Sequence, residues 1–118
     1  MDGRIFYLRK RILNNLRHQW TTREMADYLE LSVAHLQKLF KTETGMSPVA
    51  YLRELRLEKA RELLETTFNQ VKRIGYEVGL PNDSHFTRDF KKRYGVTPTE
   101  YRNQYWEKMQ KKVSDGQE

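Results

Sequence analysis

The sequence contains no cysteine, so disulfide bonds and thiolate metal sites are excluded. Its 118 residues must therefore be stabilised by packing alone, and the lack of cysteine suits a reducing compartment. The longest apolar runs reach about four residues, whereas roughly 20 are needed to span a bilayer. No apolar secretory segment follows Met1 either. We therefore expect a soluble, non-secreted protein with no membrane partner.

Valine and isoleucine are sparse beside leucine, glutamate, lysine and arginine, and few segments alternate strictly between polar and apolar residues. Strands are therefore not expected. Helix-starting and helix-ending residues instead divide the chain into about seven helical segments. Composition and patterning together predict an all-α fold.

Three helix starts are recognisable in the first half of the chain. Apolar residues three or four positions apart predict a first helix from about residue 4 to residue 19. Thr21 and Glu24 form a capping box that opens a short second helix. Ser32 is placed to cap a third helix, which should end at Gly45.

In the second half, Ser47 as N-cap and Pro48 at the first helical position predict a long helix that reaches about residue 65. Thr97 and Glu100 form another capping box at the start of a last helix. Beyond Met109 the chain is polar enough to fray. Between these elements we expect a short helix over residues 71–78 and another over residues 83–94.

A stretch of about ten residues occurs twice, fifty positions apart. Phe40, Lys41, Gly45, Pro48 and Tyr51 recur as Phe90, Lys91, Gly95, Pro98 and Tyr101. Further upstream the offset is forty-nine, so one copy has an additional residue in its turn; Ala26 pairs with Gly75, and Leu31 with Leu80. The repeat indicates one supersecondary unit used twice.

Each copy reads as a short helix, a turn and a second helix, which is a helix-turn-helix arrangement. On a helical wheel, Phe86, Phe90 and Tyr94 form the buried stripe of one second helix, and Leu36 and Phe40 that of the other. The opposite sides carry two sets of residues related by the offset of fifty. The first reading face consists of Ala34, Gln37, Lys38 and Lys41, and the second of Ser84, Thr87, Arg88 and Lys91.

These residue types suit the edges of DNA bases. Arginine and lysine can bond to guanine O6 and N7, glutamine to adenine, and alanine or threonine can contact a thymine methyl group. A charged outer face is more simply explained as the solvated side of an amphipathic helix. Two equivalent faces on tandem second helices, in a basic chain, favour DNA reading instead.

The charge of the chain agrees with an anionic partner. Lysine and arginine total 22 against 16 acidic residues, which gives a net charge of +6 and a pI near 9.6. A pI above about 9 is typical of nucleic-acid-binding domains. Basic ribosomal and membrane-surface proteins share it, so charge alone does not identify the partner.

The sequence shows no arrangement typical of an enzyme. His18, His35 and His85 have no metal-ligand spacing and no cysteine partners. No glycine-rich phosphate loop, activated nucleophile or converging pair of acids is present. We therefore expect no catalytic site, no metal and no cofactor.

Taken together, the motifs resemble the DNA-binding domain of the AraC/XylS family of bacterial transcription regulators. The resemblance covers roughly residues 5–102. The motifs that carry it include Thr44-Gly45-Met46-Ser47-Pro48, Arg56-Leu57-x-x-Ala60-x-x-Leu63-Leu64, Ser84-x-Phe86-x-Arg88-x-Phe90-Lys91-Lys92 and Thr97-Pro98-x-x-Tyr101-Arg102.

The resemblance implies two homeodomain-like helix-turn-helix subdomains in tandem, joined by a long central helix. Their recognition helices, about 33–43 and 83–94, would enter successive major-groove segments. The division of the chain is then 4–46 for the first subdomain, 47–66 for the linker helix, 67–109 for the second subdomain and 110–118 for a flexible tail.

The resemblance also assigns contacts with double-stranded DNA. Base contacts fall to Ala34, Gln37 and Lys38 in the first copy, and to Asp83, Ser84, Thr87 and Arg88 in the second. Backbone contacts are expected from His35, Lys41, His85, Lys91 and Lys92. Because the outward residues differ between the copies, a monomer should read an asymmetric site.

Asp83 departs from this scheme because a carboxylate would lie near phosphates. It can instead cap its helix or accept a hydrogen bond from a cytosine amine, and capping is favoured. Ala34 is small for a reading position, so the first copy is expected to contact fewer base atoms.

Another class of function stays open, a protein-interaction module that docks a partner such as RNA polymerase without reading DNA. Polymerase contact can also accompany DNA binding. RNA binding is less favoured, because helices that fit the B-form major groove do not fit the A-form one.

No effector domain is visible in the sequence. The chain is either a short stand-alone activator or, in the arrangement common in the family, the carboxy-terminal piece of a regulator whose N-terminal domain receives a ligand or signal. The resemblance implies a bacterial, cytoplasmic, nucleoid-associated protein.

Overall fold

The computed structural model describes residues 2–116, and within them the chain forms seven α-helices and no strand. The helices are α1 Gly3–Leu13, α2 Thr22–Tyr28, α3 Val33–Thr44, α4 Pro48–Thr66, α5 Val71–Glu77, α6 Asp83–Tyr94 and α7 Pro98–Gly116. The predicted all-α fold of about seven helices is confirmed. None of these helices is long and apolar enough to cross a membrane.

The described part of the chain divides into two compact units, which meet between Arg56 and Leu57. The helix-turn-helix of the first unit is α2–α3, and that of the second is α5–α6. The boundary between Arg56 and Leu57 falls inside α4, so this long helix contributes its first part to one unit and its second part to the other.

Equivalent turns link the two helices of each helix-turn-helix. The Leu31 amide donates to the Ala26 carbonyl at 2.9 Å, and the Leu80 amide donates to the Gly75 carbonyl at 2.8 Å. The residue before each leucine has a positive φ, 57° at Glu30 and 86° at Gly79. The offset of forty-nine therefore corresponds to one turn geometry used twice.

The second helices of the two units also share their boundaries. Both α3 and α6 have 12 residues, and each ends at a left-handed glycine, Gly45 with φ 76° and Gly95 with φ 85°. Each begins at a side-chain N-cap, Ser32 and Asn82, again fifty positions apart. The additional residue of the second copy is therefore Pro81, which lies between the turn and the cap.

Aromatic packing repeats as well. The rings of Phe40 and Tyr51 meet edge to face at 5.2 Å and 69° in the first unit, and those of Phe90 and Tyr101 at 5.7 Å and 73° in the second. Phe40 and Phe90 are fully buried. Such pairs add to the apolar burial that fixes the inner side of each second helix.

The first helix is shorter than predicted. It ends at Leu13 rather than near residue 19, and residues 14–17 form turns. Asparagine side chains compete with helical backbone bonding, which accounts for an end at Asn14 and Asn15. Leu16 is nevertheless buried, at 6 % exposure, because the turn returns it to the core. The apolar spacing thus correctly predicted that Leu16 is buried, but the prediction of helix beyond residue 13 was wrong.

The last helix is longer than predicted. It continues to Gly116, past Met109, where the polar sequence predicts fraying. Its residues from 107 onward are exposed, so this extension is supported by its own backbone bonding and not by burial. Residues 117 and 118 of the predicted tail lie outside the described residues.

Candidate nucleic-acid interface

The first reading face lies entirely in solvent. Ala34, Gln37, Lys38 and Lys41 are all exposed along α3, as is His35. Leu36 and Phe40 are fully buried on the opposite side, and Leu39 is 9 % exposed. The buried side chains hold the helix on its unit, so the exposed ones project from a fixed support.

The second reading face has nearly the same exposure. Ser84, Arg88 and Lys91 are exposed on α6, and Thr87 is half-buried. Phe86 and Phe90 are fully buried behind them, while Tyr94, predicted for the same stripe, is half-buried. The flanking candidates are exposed too; these are Asp83, His85 and Lys92.

The start of α6 corrects one residue role. Asn82, not Asp83, is the N-cap, and its side-chain oxygen accepts from the His85 amide at 3.0 Å. Asp83 is the first helical residue, where its charge interacts favourably with the positive end of the helix dipole. The Ser32 hydroxyl accepts in the same way from the His35 amide at 3.1 Å. The backbone N–H groups of the two histidines therefore serve helix capping.

The two faces differ in charge. The α3 helix carries Lys38 and Lys41 on its reading face and has no acidic residue in its first turn. The α6 helix carries Asp83 in its first turn and Asp89 beside Arg88, whose Nε lies 3.6 Å from the Asp89 carboxylate. The second face therefore presents Arg88 next to a negative charge, a pairing that the sequence pattern did not reveal.

Two arginines fix the loops that precede the helix-turn-helix elements. In the first unit, Arg56 Nη2 donates to the carbonyls of Leu16 at 3.2 Å and His18 at 2.7 Å. In the second unit, Arg102 donates to three carbonyls, those of Leu64, Thr67 and Asn69 at 3.1, 3.1 and 2.6 Å. Burial lowers the pKa of both guanidinium groups, although arginine stays charged at neutral pH.

Both arginines belong to motifs of the family resemblance, but no pattern in the sequence indicates their role. A guanidinium group carries five donors in a planar fork, which is why it can bind several carbonyls at once. Arg56 and Arg102 therefore hold the loops that lead into α2 and α5.

The loop of the first unit is also tied to α2. His18 Nε2 lies 2.6 Å from the Glu24 carboxylate, and the Glu24 carboxylate accepts from the Thr21 amide at 3.1 Å in the predicted capping box. These hydrogen bonds, from His18 first and then from Thr21, lower the pKa of Glu24. The capping box at Thr97 and Glu100 is present too.

The described residues offer no metal site. Between residues 2 and 116, no group of three or more histidine, aspartate or glutamate side chains is arranged to hold an ion. The three histidines are spread over a loop and two helices, α3 and α6. The chemistry that the exposed faces can perform is hydrogen bonding and ion pairing with an anionic, groove-bearing partner.

Comparison with known proteins agrees with this geometry. A family model described as a helix-turn-helix domain matches residues 25–104. The transcriptional regulator MtrA of Neisseria gonorrhoeae is 31 % identical over 103 residues, which are 87 % of this chain and 34 % of that protein. The transcriptional activator RhaS of Yersinia pestis is 34 % identical over 103 residues, 87 % of this chain and 38 % of that protein.

Among solved structures, a transcriptional regulator from Chromobacterium violaceum, described as containing an AraC-type DNA-binding domain, superposes with a TM-score of 0.82. It is 30 % identical, and the match covers 87 % of this chain and 92 % of that one. The chain thus matches nearly all of this solved regulator chain but spans only about a third of the two curated relatives.

Proposed function

This chain belongs to the AraC/XylS family of transcription regulators and is a DNA-binding helix-turn-helix domain, and we propose that it reads DNA with two recognition helices, α3 and α6. Since its relatives are transcription regulators, the expectation that it is not an enzyme is confirmed. One observation carries the proposal. Two helices of equal length, with equivalent caps, present exposed faces at positions related by fifty.

Each recognition helix lies in the major groove, where its exposed side chains meet base edges. In the first copy Gln37 and Lys38 contact bases and Ala34 offers its methyl group. In the second, Arg88 is the principal reader, beside Ser84 and Thr87. Since Asn82 and not Asp83 caps the helix, the Asp83 carboxylate is assigned as the acceptor for a cytosine amine. The high exposure of Arg88, whose side chain is 67 % accessible, supports this assignment.

Cations around the reading faces hold the sugar–phosphate backbone. Lys41, Lys91 and Lys92 are exposed near the ends of their helices, and His35 and His85 lie in the first turns. Phosphate contacts fix the register of a protein on the duplex without reading sequence. The net charge of +6 supports this role.

The two copies would read different sequences. Ala34, Gln37 and Lys38 stand where the second copy has Ser84, Thr87 and Arg88. A single chain would therefore bind an asymmetric site of two unlike segments, about 34 Å apart if they are one helical turn from each other. No second copy is required for such a site.

Equilibrium binding to a duplex selected by the protein from a random pool tests these roles over a salt series. Arg88→Ala should cost about 1–3 kcal/mol and relax the preference at one base pair, whereas Lys91→Ala should weaken all sequences alike and reduce the salt slope by about 1. Lys59→Ala, on α4, removes a cation that pairs with Glu62 and serves as the charge-matched control. Wild-type binding by Arg88→Ala would refute the assigned face.

The same titration distinguishes DNA reading from the alternative function, a protein-interaction module that binds no DNA. A domain that docks only proteins should bind no duplex even at low salt, because counterion release gives every DNA-binding domain a nonspecific affinity. A salt-dependent interaction with random duplex DNA would refute that alternative.

We propose further that the protein regulates transcription on a bacterial chromosome in the cytoplasm, as an activator that contacts RNA polymerase. The relative RhaS, an activator by name, supports this. Since the chain spans about a third of its curated relatives, an additional domain that receives a ligand or signal is part of the same proposal. In vitro transcription from a promoter carrying the selected site should rise with added protein; unchanged or lower output would refute activation.

A further inference from the structure

The repeat contains one substitution that packing does not explain. Position 39 in the first copy is Leu39, at 9 % exposure in the core. Its equivalent fifty residues later is Asp89, whose side chain is still only 25 % exposed. A carboxylate half-buried where the duplicate has a core leucine loses apolar contact and carries a desolvation cost. Residues that break a local packing rule are often found at functional sites.

The residue before it changes as well. Lys38 precedes Leu39 in the first copy, and Arg88 precedes Asp89 in the second. The two differences are chemically related. The planar guanidinium group of arginine is complementary to a carboxylate, whereas the ammonium group of lysine is only a point charge. In the structure, Arg88 Nε lies 3.6 Å from the Asp89 carboxylate. The lysine-and-leucine pair of one reading helix is thus an arginine-and-aspartate pair in the other.

Two other titratable residues of α6 are spaced to lie near Asp89. Helical spacing places Arg93 and His85 one turn from Asp89 on either side. The Arg93 guanidinium lies over the Tyr94 ring, 4.7 Å from its centroid. Arg88 forms an ion pair with Asp89, and it is also the exposed reader of this face.

We propose that Asp89 is a positioning residue that determines the specificity of the second reading helix by orienting the Arg88 guanidinium. The carboxylate attracts Nε electrostatically across 3.6 Å. This leaves the two Nη groups to bond guanine O6 and N7 together. The negative charge of the carboxylate also disfavours the approach of phosphates, so Arg88 is less readily diverted to the DNA backbone. The inference rests on the proposed role of Arg88 as a base-reading residue.

The test compares Asp89→Asn and Asp89→Leu with wild type on the duplex selected by the wild-type protein. A second set of duplexes replaces the base pair whose preference Arg88→Ala relaxes. In both variants, the ratio of the affinities for the selected and the replaced duplexes should fall roughly three- to tenfold. This is part of the discrimination that a bidentate arginine supplies. Affinity for the replaced duplexes should rise or stay unchanged. Discrimination at other base pairs should be unaffected.

Thermal unfolding distinguishes the positioning role from a purely structural one. If Asp89 served only stability, specificity would fall only together with the unfolding temperature. In the positioning role, Asp89→Leu restores the residue type of the first copy, so its unfolding temperature should stay equal to or rise above that of wild type while specificity falls. Asp27→Asn, which removes an exposed acid from α2, is the charge-matched control and should leave discrimination unchanged. Unaltered discrimination in both Asp89 variants would overturn the inference, as would an equal loss of affinity for every duplex.

The double variant separates this inference from the proposed function. When Arg88 is already alanine, adding Asp89→Asn should change discrimination by less than about twofold, because the residue to be oriented is absent. A full effect in that background would overturn the positioning role. If Arg88→Ala alone relaxes no base pair, the assigned reading face fails instead, and that result is recognised before any Asp89 variant is made.

Discussion

Replacing Gly75 with alanine should destabilise the second unit, although alanine is the better helix former. Gly75 is buried in α5, and a Cβ atom built there would lie 2.8 Å from the Leu80 carbonyl oxygen and 2.9 Å from a ring carbon of Phe86. The first of these atoms belongs to the backbone of the turn, whose Leu80 amide is bonded to Gly75 itself. Relief of the clash must therefore displace the turn or the ring that supports α6.

The magnitude follows from two opposing effects. Alanine is favoured over glycine by about 1 kcal/mol in a helix interior, whereas overpacking a core costs typically about 1–3 kcal/mol. Because the nearest atom, at 2.8 Å, belongs to the backbone and not to a flexible side chain, the overpacking cost lies in the upper part of that range. The balance is a loss of about 1–2 kcal/mol. For a unit of this size, the melting temperature should fall by about 4–8 °C per kcal/mol lost.

Thermal unfolding monitored by circular dichroism, together with hydrogen exchange at the amides of α5 and α6, measures this effect. Gly3→Ala is the control, because no atom lies within 4 Å of its new Cβ, and it should be neutral or stabilising. The first copy has Ala26 and Leu36 at the positions equivalent to Gly75 and Phe86, so Phe86→Leu should cost less stability when Gly75 is already alanine. A Gly75→Ala protein as stable as wild type would refute the close-packing argument.

Four further outcomes follow from the structure. Asn82→Ala should cost about 1 kcal/mol in urea unfolding, whereas Asp83→Ala should cost less than about half of that, because only Asn82 caps α6. Glu30→Gly should raise the free energy of unfolding by up to about 1 kcal/mol, since Glu30 has a φ of 57°. Arg56→Ala should lower it by about 1–3 kcal/mol, measured in the same way, by leaving two carbonyls without their donor. The pKa of Glu24 is below its ordinary value of 4.5. Its contribution to the free energy of unfolding is therefore complete above pH 4.5 and is lost as the pH falls through the native pKa. Glu24→Gln should flatten the acid side of the curve of stability against pH.

The repeat made much of the fold predictable from the sequence. Capping residues and left-handed glycines act within one or two turns, so the starts of α2, α3 and α7 and the ends of α3 and α6 follow from local chemistry. The exposed sides of α3 and α6 follow from helical periodicity for the same reason. Only Thr87 of the reading residues proved half-buried. Their contacts with DNA stay predictions.

What the sequence could not provide depends on side-chain paths and on competing local choices. Apolar spacing continues through Leu16 whether the chain there is helix or turn, and for this reason the predicted end of α1 was wrong. Asn82 and Asp83 are both good caps, and only the backbone selects between them. Adjacent residues on a helix point about 100° apart, so nothing in the pattern pairs Arg88 with Asp89.

Selection of bound sites from a random duplex pool by the monomeric protein tests most directly whether two different reading helices share one repeated scaffold. The account predicts an asymmetric consensus of two unlike segments about one helical turn apart. Repeating the selection with Gln37→Ala should alter one segment, and with Arg88→Ala only the other. A palindromic consensus, a single segment, or equal disturbance of both segments by either substitution would contradict it.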